Sequence, residues 1–434
     1  MLNRFLNIAQ IRHIEVEALS KHKLDLMDMA GAAIAKWVES SFSPAQKVLI
    51  LIGRGNNGGD GVLAALKLKS CGYDVAIFKA APQLNPTTEN LVAQFIQQKG
   101  KVLNRLPPKL DGYTLIIDAI LGIGINNHVD AKLSKLIDQV NHCGQYVLAV
   151  DTPTGLDPFS GQVYGNAIRA RHTITFICDK PGFYTGDGID LVGQLTIANL
   201  INLDEYTLPK ASTIDVLQND LTTIDYQVLA RKVHNTNKGT FGSVAIIGGS
   251  HGMHGSLYLA GRAAMLLGSG KVIIASLDEG FASDILMPEL MLRDPKDVIK
   301  SLHDYSVVVI GPGLGNDSKA LKLLTKLIKQ KPQAKLIFDA DALNLLAANY
   351  ELQEDFRLIP NKVITPHPGE AARLLKTSVD VVGENRFVAL KNMTTQFNAI
   401  GLLKGAGSLI QDNSHVYLNQ TGNMALSNAG QGDT

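Results

Sequence analysis

The stretch that decides the fold runs from Val48 to Gly61: Val48-Leu49-Ile50-Leu51-Ile52, then Gly53-Arg54-Gly55-Asn56-Asn57-Gly58-Gly59-Asp60-Gly61. An unbroken apolar run of branched residues predicts a strand buried on both faces, as in a parallel sheet. Glycines directly behind it predict a turn into a helix whose N-terminus faces a ligand. Read literally, Gly53 to Gly58 matches the dinucleotide pattern G-x-G-x-x-G. Two features disfavour an NAD dehydrogenase. Asp60 stands where a pyrophosphate would approach the helix start, and like charges repel. The acid expected about 20 residues on, at the end of the second strand, is also missing. That strand begins with Asp74 and runs out at Lys79. Two amides and a carboxylate on a glycine turn suit a cation and a polar ligand instead.

Outward from this stretch, strand-like and helix-like segments alternate, the pattern of an α/β protein with a mostly parallel sheet. The first half predicts strands at 46–52, 74–79, 114–118, 146–151, 172–177 and 193–198, and a helix over Met27 to Trp37. The second half predicts strands at 243–247, 271–276, 306–310, 335–339, 362–365 and 400–403. Between them, Leu203 to Thr223 holds no sustained period and marks a boundary, giving domains of 1–215 and 225–434. A chain of 434 residues is too long for one core, which also points to two domains. The net charge of +1, with both signs well mixed, offers no footprint for nucleic acid or an acidic membrane. Cys71, Cys143 and Cys178 lie far apart with no C-x-x-C, so neither a disulfide framework nor a zinc site is expected. The N-terminus has no apolar signal region, and no run of 18 apolar residues occurs. These features predict a soluble, cytoplasmic protein.

Further candidates stand at strand ends, where open α/β sheets bind ligands. Asp118 ends its strand and precedes the loop Leu121-Gly122-Ile123-Gly124-Ile125-Asn126-Asn127-His128. Asp151 begins Asp151-Thr152-Pro153-Thr154-Gly155. A single aspartate in such a place is usually a turn or cap residue. Asp60, Asp118 and Asp151 on separate strand ends of one sheet are harder to dismiss. Carboxylates, an amide and a hydroxyl are hard oxygen ligands that suit a Group 1 or 2 cation better than zinc.

The second half carries its own set: Lys238-Gly239-Thr240-Phe241-Gly242, Gly311-Pro312-Gly313-Leu314-Gly315, Asp339-Ala340-Asp341-Ala342-Leu343-Asn344 and Thr365-Pro366-His367-Pro368-Gly369-Glu370. Lys404-Gly405-Ala406-Gly407-Ser408 offers small residues and backbone N–H groups for phosphates. Gly430-Gln431-Gly432-Asp433 places an aspartate where a helix would begin. No Walker A sequence is present, which excludes a P-loop NTPase.

In that order, these motifs resemble the bifunctional NAD(P)H-hydrate repair enzymes, an epimerase fused to an ADP-dependent dehydratase. The likeness covers nearly the whole chain. It implies a Rossmann-like three-layer domain followed by a ribokinase-like α/β domain. It also implies that Asn56, Asn57, Gly58, Gly59 and Asp60, with Gly122, Ile123, Gly124, Ile125, Asn126, Asn127 and His128, hold the hydrated nucleotide. Asn57, Asp118 and Thr154 would bind K+, and Asp151 would contact the substrate near its reacting carbon. Asp151 is the candidate acid/base residue of the epimerase, with a purely substrate-orienting role as the alternative. In the dehydratase, Ala264, Gly313, His367 and Asp433 would contact the hydrate, with Asp433 as general base. Lys404, Gly405, Ala406, Gly407, Ser408 and Gly432 would hold ADP, with Mg2+ as the accompanying ion. A homo-oligomer with small-molecule substrates, and neither nucleic-acid nor membrane partners, is implied. Thr434 directly follows the presumed base where the family continues into a helix, so the dehydratase half is read as C-terminally truncated. Asn428 and Gln431 are bulkier than the family's usual residues there. Two other readings stay open: a ribokinase-like kinase of a small alcohol, and a nucleotide-sensing binding protein whose dehydratase half has decayed.

Overall fold

The computed structural model describes residues 4–206, 214–217, 237–412, 415–422 and 430. The chain divides into two compact units, Met1–Val216 and Leu217–Thr434. Both are α/β units built on parallel strands, the fold class expected from the alternating pattern.

The first unit holds a seven-stranded sheet, parallel throughout. Its order is Lys101–Leu103, Asp74–Lys79, Lys47–Ile52, Leu115–Ala119, Tyr146–Val150, His172–Phe176 and Gln194–Ala198. Residues 48–52 are 0% exposed, and alternate side chains serve opposite cores. Val48, Ile50 and Ile52 join Ile14, Ile34 and Val38 of the helices Ile8–His22 and Leu26–Ser41. Leu49 and Leu51 join Ile137 and Val140 of the helix Ala131–Asn141. Each such side chain contributes roughly 1.5–3 kcal/mol when fully buried, so a strand covered on both sides is strongly held.

The chain leaves Lys47–Ile52 toward one edge, then returns with Leu115–Ala119 on its other side. The carboxyl ends of these two neighbours form the sheet's switch point, where a crevice opens. Glycine is needed there for close approach: a Cβ on Gly53 would lie 1.8 Å from the Ile120 carbonyl oxygen, and one on Gly58 2.2 Å from that of Gly53. The helix Asn56–Ser70 starts at this crossing and has no side-chain cap, so its first N–H groups are left to a ligand.

The second unit repeats the plan. Met291–Leu292, Lys271–Ser276, Ser243–Gly248, Val307–Ile310, Lys335–Phe338, Lys362–Ile364 and Ile400–Leu403 run parallel in that order, and Leu409–Gln411 and Val416–Asn419 follow antiparallel. Its switch point lies between Ser243–Gly248 and Val307–Ile310.

Every strand expected from the sequence occurs, with ends shifted by at most about one residue, and the expected first helix spans Leu26–Ser41. The strands that went unread, Arg4–Phe5, Lys101–Leu103, Ile214–Leu217, Met291–Leu292, Leu409–Gln411 and Val416–Asn419, are too short to show a period. Among the described residues, all three cysteines are free, and no helix is long and apolar enough to cross a membrane.

Candidate functional site

At the switch point of the first unit, Asp118 and Thr154 are both 0% exposed and bond to each other. The Thr154 hydroxyl donates to Asp118 Oδ1 at 2.7 Å and its N–H to Oδ2 at 2.8 Å, while Ile120 N–H donates to Oδ1 at 3.2 Å. Burial nevertheless outweighs these donors and pushes the Asp118 carboxyl up to about 6. Thr154 Oγ1 also accepts from Leu121 N–H at 3.0 Å, which fixes the start of the loop ending at His128.

Asn57 belongs to the same region. Its Oδ1 and Nδ2 are both buried and have no partner in the protein. An unpaired buried amide is costly, and such a group usually awaits a ligand. A Cβ on Gly122 would lie 3.1 Å from Asp151 Oδ2 and 3.3 Å from Asn57 Oδ1, so both side chains border the gap that this glycine leaves. Asp60, one turn along the helix, has its carboxyl raised well above the usual range by burial, then by Asp151, Glu15 and Asp25. Around the rim, Asn56 Oδ1 accepts from Asn85 Nδ2 at 3.2 Å, and Asn127 Nδ2 donates to Asn126 Oδ1 at 2.8 Å. Gly124, Asn126, Asn127 and His128 are exposed, and the His128 ring lies 5.8 Å from that of Tyr164. Gly58 and Gly59 are buried in the helix start, and Ile125 N–H donates to the Gly122 carbonyl at 3.3 Å.

Asp151 takes a left-handed φ of 63°, an uncommon conformation for a non-glycine residue that costs on the order of 1–3 kcal/mol. Three groups hold it there. Lys180 Nζ donates to Oδ1 at 2.9 Å, Thr175 Oγ1 donates to the same oxygen at 3.2 Å, and Ile123 N–H donates to Oδ2 at 3.3 Å. Sequence reading missed Lys180. A charged pair, Asp179-Lys180, placed directly behind the buried strand His172–Phe176 was the available signal.

In the second unit the ligand loops line up at consecutive strand ends. Ser250 N–H donates to the Gly313 carbonyl at 2.6 Å, and a Cβ on Gly313 would lie 2.7 Å from Ser256 Oγ. Asp341 holds the neighbouring loop: Oδ2 accepts from Gly315 N–H at 2.9 Å and Oδ1 from Asn316 Nδ2 at 3.0 Å. Asp339 pairs with Lys404 at 2.7 Å.

His367 is the N-cap of the helix Pro368–Leu375, accepting from Gly369 N–H at 3.0 Å and Glu370 N–H at 3.4 Å through Nδ1. Glu370 Oε2 accepts from His367 N–H at 2.8 Å in return, which closes a reciprocal capping box with histidine in the place usual for serine or threonine. Only Nε2 of His367 is left to meet a ligand, and it lies 3.3 Å from Glu370 Oε1. Ala264 is on the helix His254–Leu266, partly buried and packed against the core of Ile246, Leu257 and Ile274. Ser256, two turns earlier on the same helix, approaches Gly313. Gly432 and Asp433 lie outside the described residues.

The loop Lys404–Ser408 is shaped by a residue the sequence did not flag. Arg386, 5% exposed, donates to the carbonyls of Ala406, Gly407 at 3.0 Å, Lys404 at 3.2 Å and Leu403 at 3.3 Å. Several carbonyls drawn to one guanidinium, with φ of 140° at Gly405 and 61° at Gly407, set the path of the loop, and Lys404 N–H donates to the Pro366 carbonyl at 2.9 Å. Ser408 Oγ donates back to the Gly405 carbonyl at 3.0 Å. Burial lowers the Arg386 guanidinium to about 10.

Two family models match the chain: one described as YjeF-related protein N-terminus over residues 23–182, and one described as NAD(P)H-hydrate dehydratase over 244–434. The chain is 33% identical to a bifunctional NAD(P)H-hydrate repair enzyme of Coxiella burnetii, covering 98% of this chain and 86% of that protein. It is 34% identical to one of Escherichia coli, covering 94% and 78%. Among solved structures, an ADP/ATP-dependent NAD(P)H-hydrate dehydratase from Bacillus subtilis co-crystallised with ATP/Mg2+ is 28% identical over 47% of this chain and 72% of that one, with a TM-score of 0.39.

Proposed function

The chain belongs to the family of bifunctional NAD(P)H-hydrate repair enzymes, which join an epimerase to a dehydratase, and from that premise we propose that its two units divide the work. The first interconverts the R and S hydrates of NADH and NADPH, and the second dehydrates the S form using ADP. The observation that carries the first assignment is the gap at Gly122, bordered by the carboxylate of Asp151 and the unpartnered amide of Asn57.

Hydration leaves a hydroxyl on ring carbon six, next to the ring nitrogen. Asp151 takes that hydroxyl proton as the bond from carbon six to nitrogen opens to an aldehyde, and delivers the proton to the nitrogen. Rotation of the aldehyde and the reverse steps close the ring with the opposite configuration. Asn57 orients the substrate, with the uncapped helix start at Asn56 behind it. Potassium fits here because Asn57 Oδ1, the Asp118 carboxylate and Thr154 Oγ1 are all oxygen donors, and the first has no partner. These residues would hold the ion, which would supply a fixed positive charge.

In the second unit the loop Lys404–Ser408 and Gly432 would bind ADP. Asp433 would take the ring hydroxyl's proton as that oxygen accepts the terminal phosphoryl group, releasing AMP. Loss of phosphate from carbon six and of a proton from carbon five then restores the dihydronicotinamide. No cluster of three metal-ligating side chains occurs among the described residues, so Mg2+ would arrive mainly on the nucleotide's phosphates. We place the enzyme in the cytoplasm, a reading supported by its free thiols, and as a homo-oligomer, supported by Ile285 at 94% and Leu286 at 79% exposure.

Incubating the protein with mixed hydrate epimers, and resolving them chromatographically, tests this reading. Epimers should interconvert without ADP, and the S form should be consumed only when ADP is added. A stable phosphorylated product would instead support a kinase, and binding without turnover a sensor.

A further inference from the structure

The two carboxyl oxygens of Asp151 are held very differently. Oδ1 receives both Lys180 Nζ and Thr175 Oγ1, whereas Oδ2 receives one long bond from Ile123 N–H at 3.3 Å and faces the gap at Gly122. Lys180 is 1% exposed, and besides Asp151 its ammonium donates to Thr175 Oγ1 and to the Phe176 carbonyl at 3.0 Å. Its three donors are therefore matched by three acceptors, and no proton is left for a substrate. Thr175 is itself 0% exposed.

Lys180 is thus a buried cation outside the reaction, directed at the side chain that performs it. Asp151 needs such support. Its backbone is strained, and its side chain lies among the like charges of Glu15 and Asp60, which act on it as it acts on them. A short carboxylate at a left-handed position can otherwise rotate away from the gap, and a misplacement of 1 Å can cost about 10²-fold in rate.

We infer that Lys180 is a positioning residue of the epimerase: with Thr175 it anchors Oδ1 of Asp151, so that Oδ2 is the atom that takes and returns the hydroxyl proton. The inference rests on the reading that the first unit epimerises the hydrate through Asp151. Removal of Lys180 frees both oxygens to turn, which lowers the rate of proton transfer more than it changes substrate binding.

Three variants of the full chain test it: Asp151→Asn, Lys180→Met and the pair together, each assayed for kcat and KM of R-to-S conversion. Lys180→Met should lower kcat by about 10²-fold, with KM within about threefold. Because Lys180 acts through Asp151, the double variant should be no slower than Asp151→Asn alone. A merely structural lysine would give additive losses. Unchanged kcat in Lys180→Met, a loss confined to KM, or additivity in the pair would each overturn the inference while leaving the role of Asp151 intact. A full rate in Asp151→Asn would overturn that role itself. Should Lys180→Met fail to fold, Thr175→Val removes the hydroxyl at nearly constant volume. A loss of about tenfold in its kcat, again absent on the Asp151→Asn background, supports the inference, and an unchanged kcat overturns it.

Discussion

Each unit hides one cation behind its site, and the two cations do opposite things. Lys180 in the first unit sits under a carboxylate and controls a side chain. Arg386 in the second sits under a loop and controls a backbone, drawing the carbonyls of Leu403, Lys404, Ala406 and Gly407 to itself. On the proposed function, the contrast follows from the tasks. Moving a proton needs one titratable atom in one place, whereas holding phosphates needs several N–H groups facing one way. Both devices require a buried charge, because only there is it strong enough to set geometry.

The largest expected effect breaks the comparison if it fails. Asp151→Asn should lower R-to-S conversion by about 10²–10⁴-fold, the range of a general acid or base, and leave ADP affinity unchanged. Calorimetric titration of the variant with ADP checks the second half, and a lost ADP signal would mean that the two sites are not independent.

The reciprocal change comes next. Arg386→Met leaves several carbonyls without their donor, each costing about 1–3 kcal/mol if it stays buried. ADP binding should weaken by about tenfold or more, which is about 1.4 kcal/mol per tenfold, with epimerisation untouched. A variant that binds ADP as tightly as the parent would remove the guanidinium from the loop's construction.

A smaller effect concerns the cation. Epimerisation should run several-fold faster in K+ than in tetramethylammonium, and Asp118→Ala should reduce that ratio. Equal rates of the parent in the two salts would withdraw potassium from the proposal.

The smallest effect sharpens the contrast with a buried cation that serves no site. Lys362 is 4% exposed, donates to the Ile359 and Asn398 carbonyls at 2.7 Å each, and lies 5.2 Å from the Phe356 ring. Burial, with a smaller push from Arg357, lowers its ammonium to about 8. The unfolded chain keeps that proton up to about 10.4, so it binds more protons than the folded one between these values, and stability should rise with pH across that window. Urea unfolding should show this rise in the parent and a flatter profile in Lys362→Met, with both activities unchanged. An equal rise in both proteins would assign the slope to another group.

Much of this was legible in the chain because it is local. Apolar runs such as Val48 to Ile52 announce buried strands, and the glycines behind them announce crossings too tight for a Cβ, as at Gly53 and Gly58. Acids at strand ends, Asp118 and Asp151, point to the crevice because a parallel α/β sheet opens its switch point there.

Which distant residues meet is settled by tertiary packing. Lys180, past the end of the strand His172–Phe176, meets Asp151 at the end of the neighbouring strand Tyr146–Val150, and Arg386 reaches a loop beyond the strand Ile400–Leu403. Ser256 on the helix His254–Leu266 meets Gly313, a matter of helix phase and sheet order together. Local periodicity records whether a residue is buried. It does not record against what, because strand order and register are set by the packing of whole elements, and a buried charge takes its meaning from the one partner that packing brings to it.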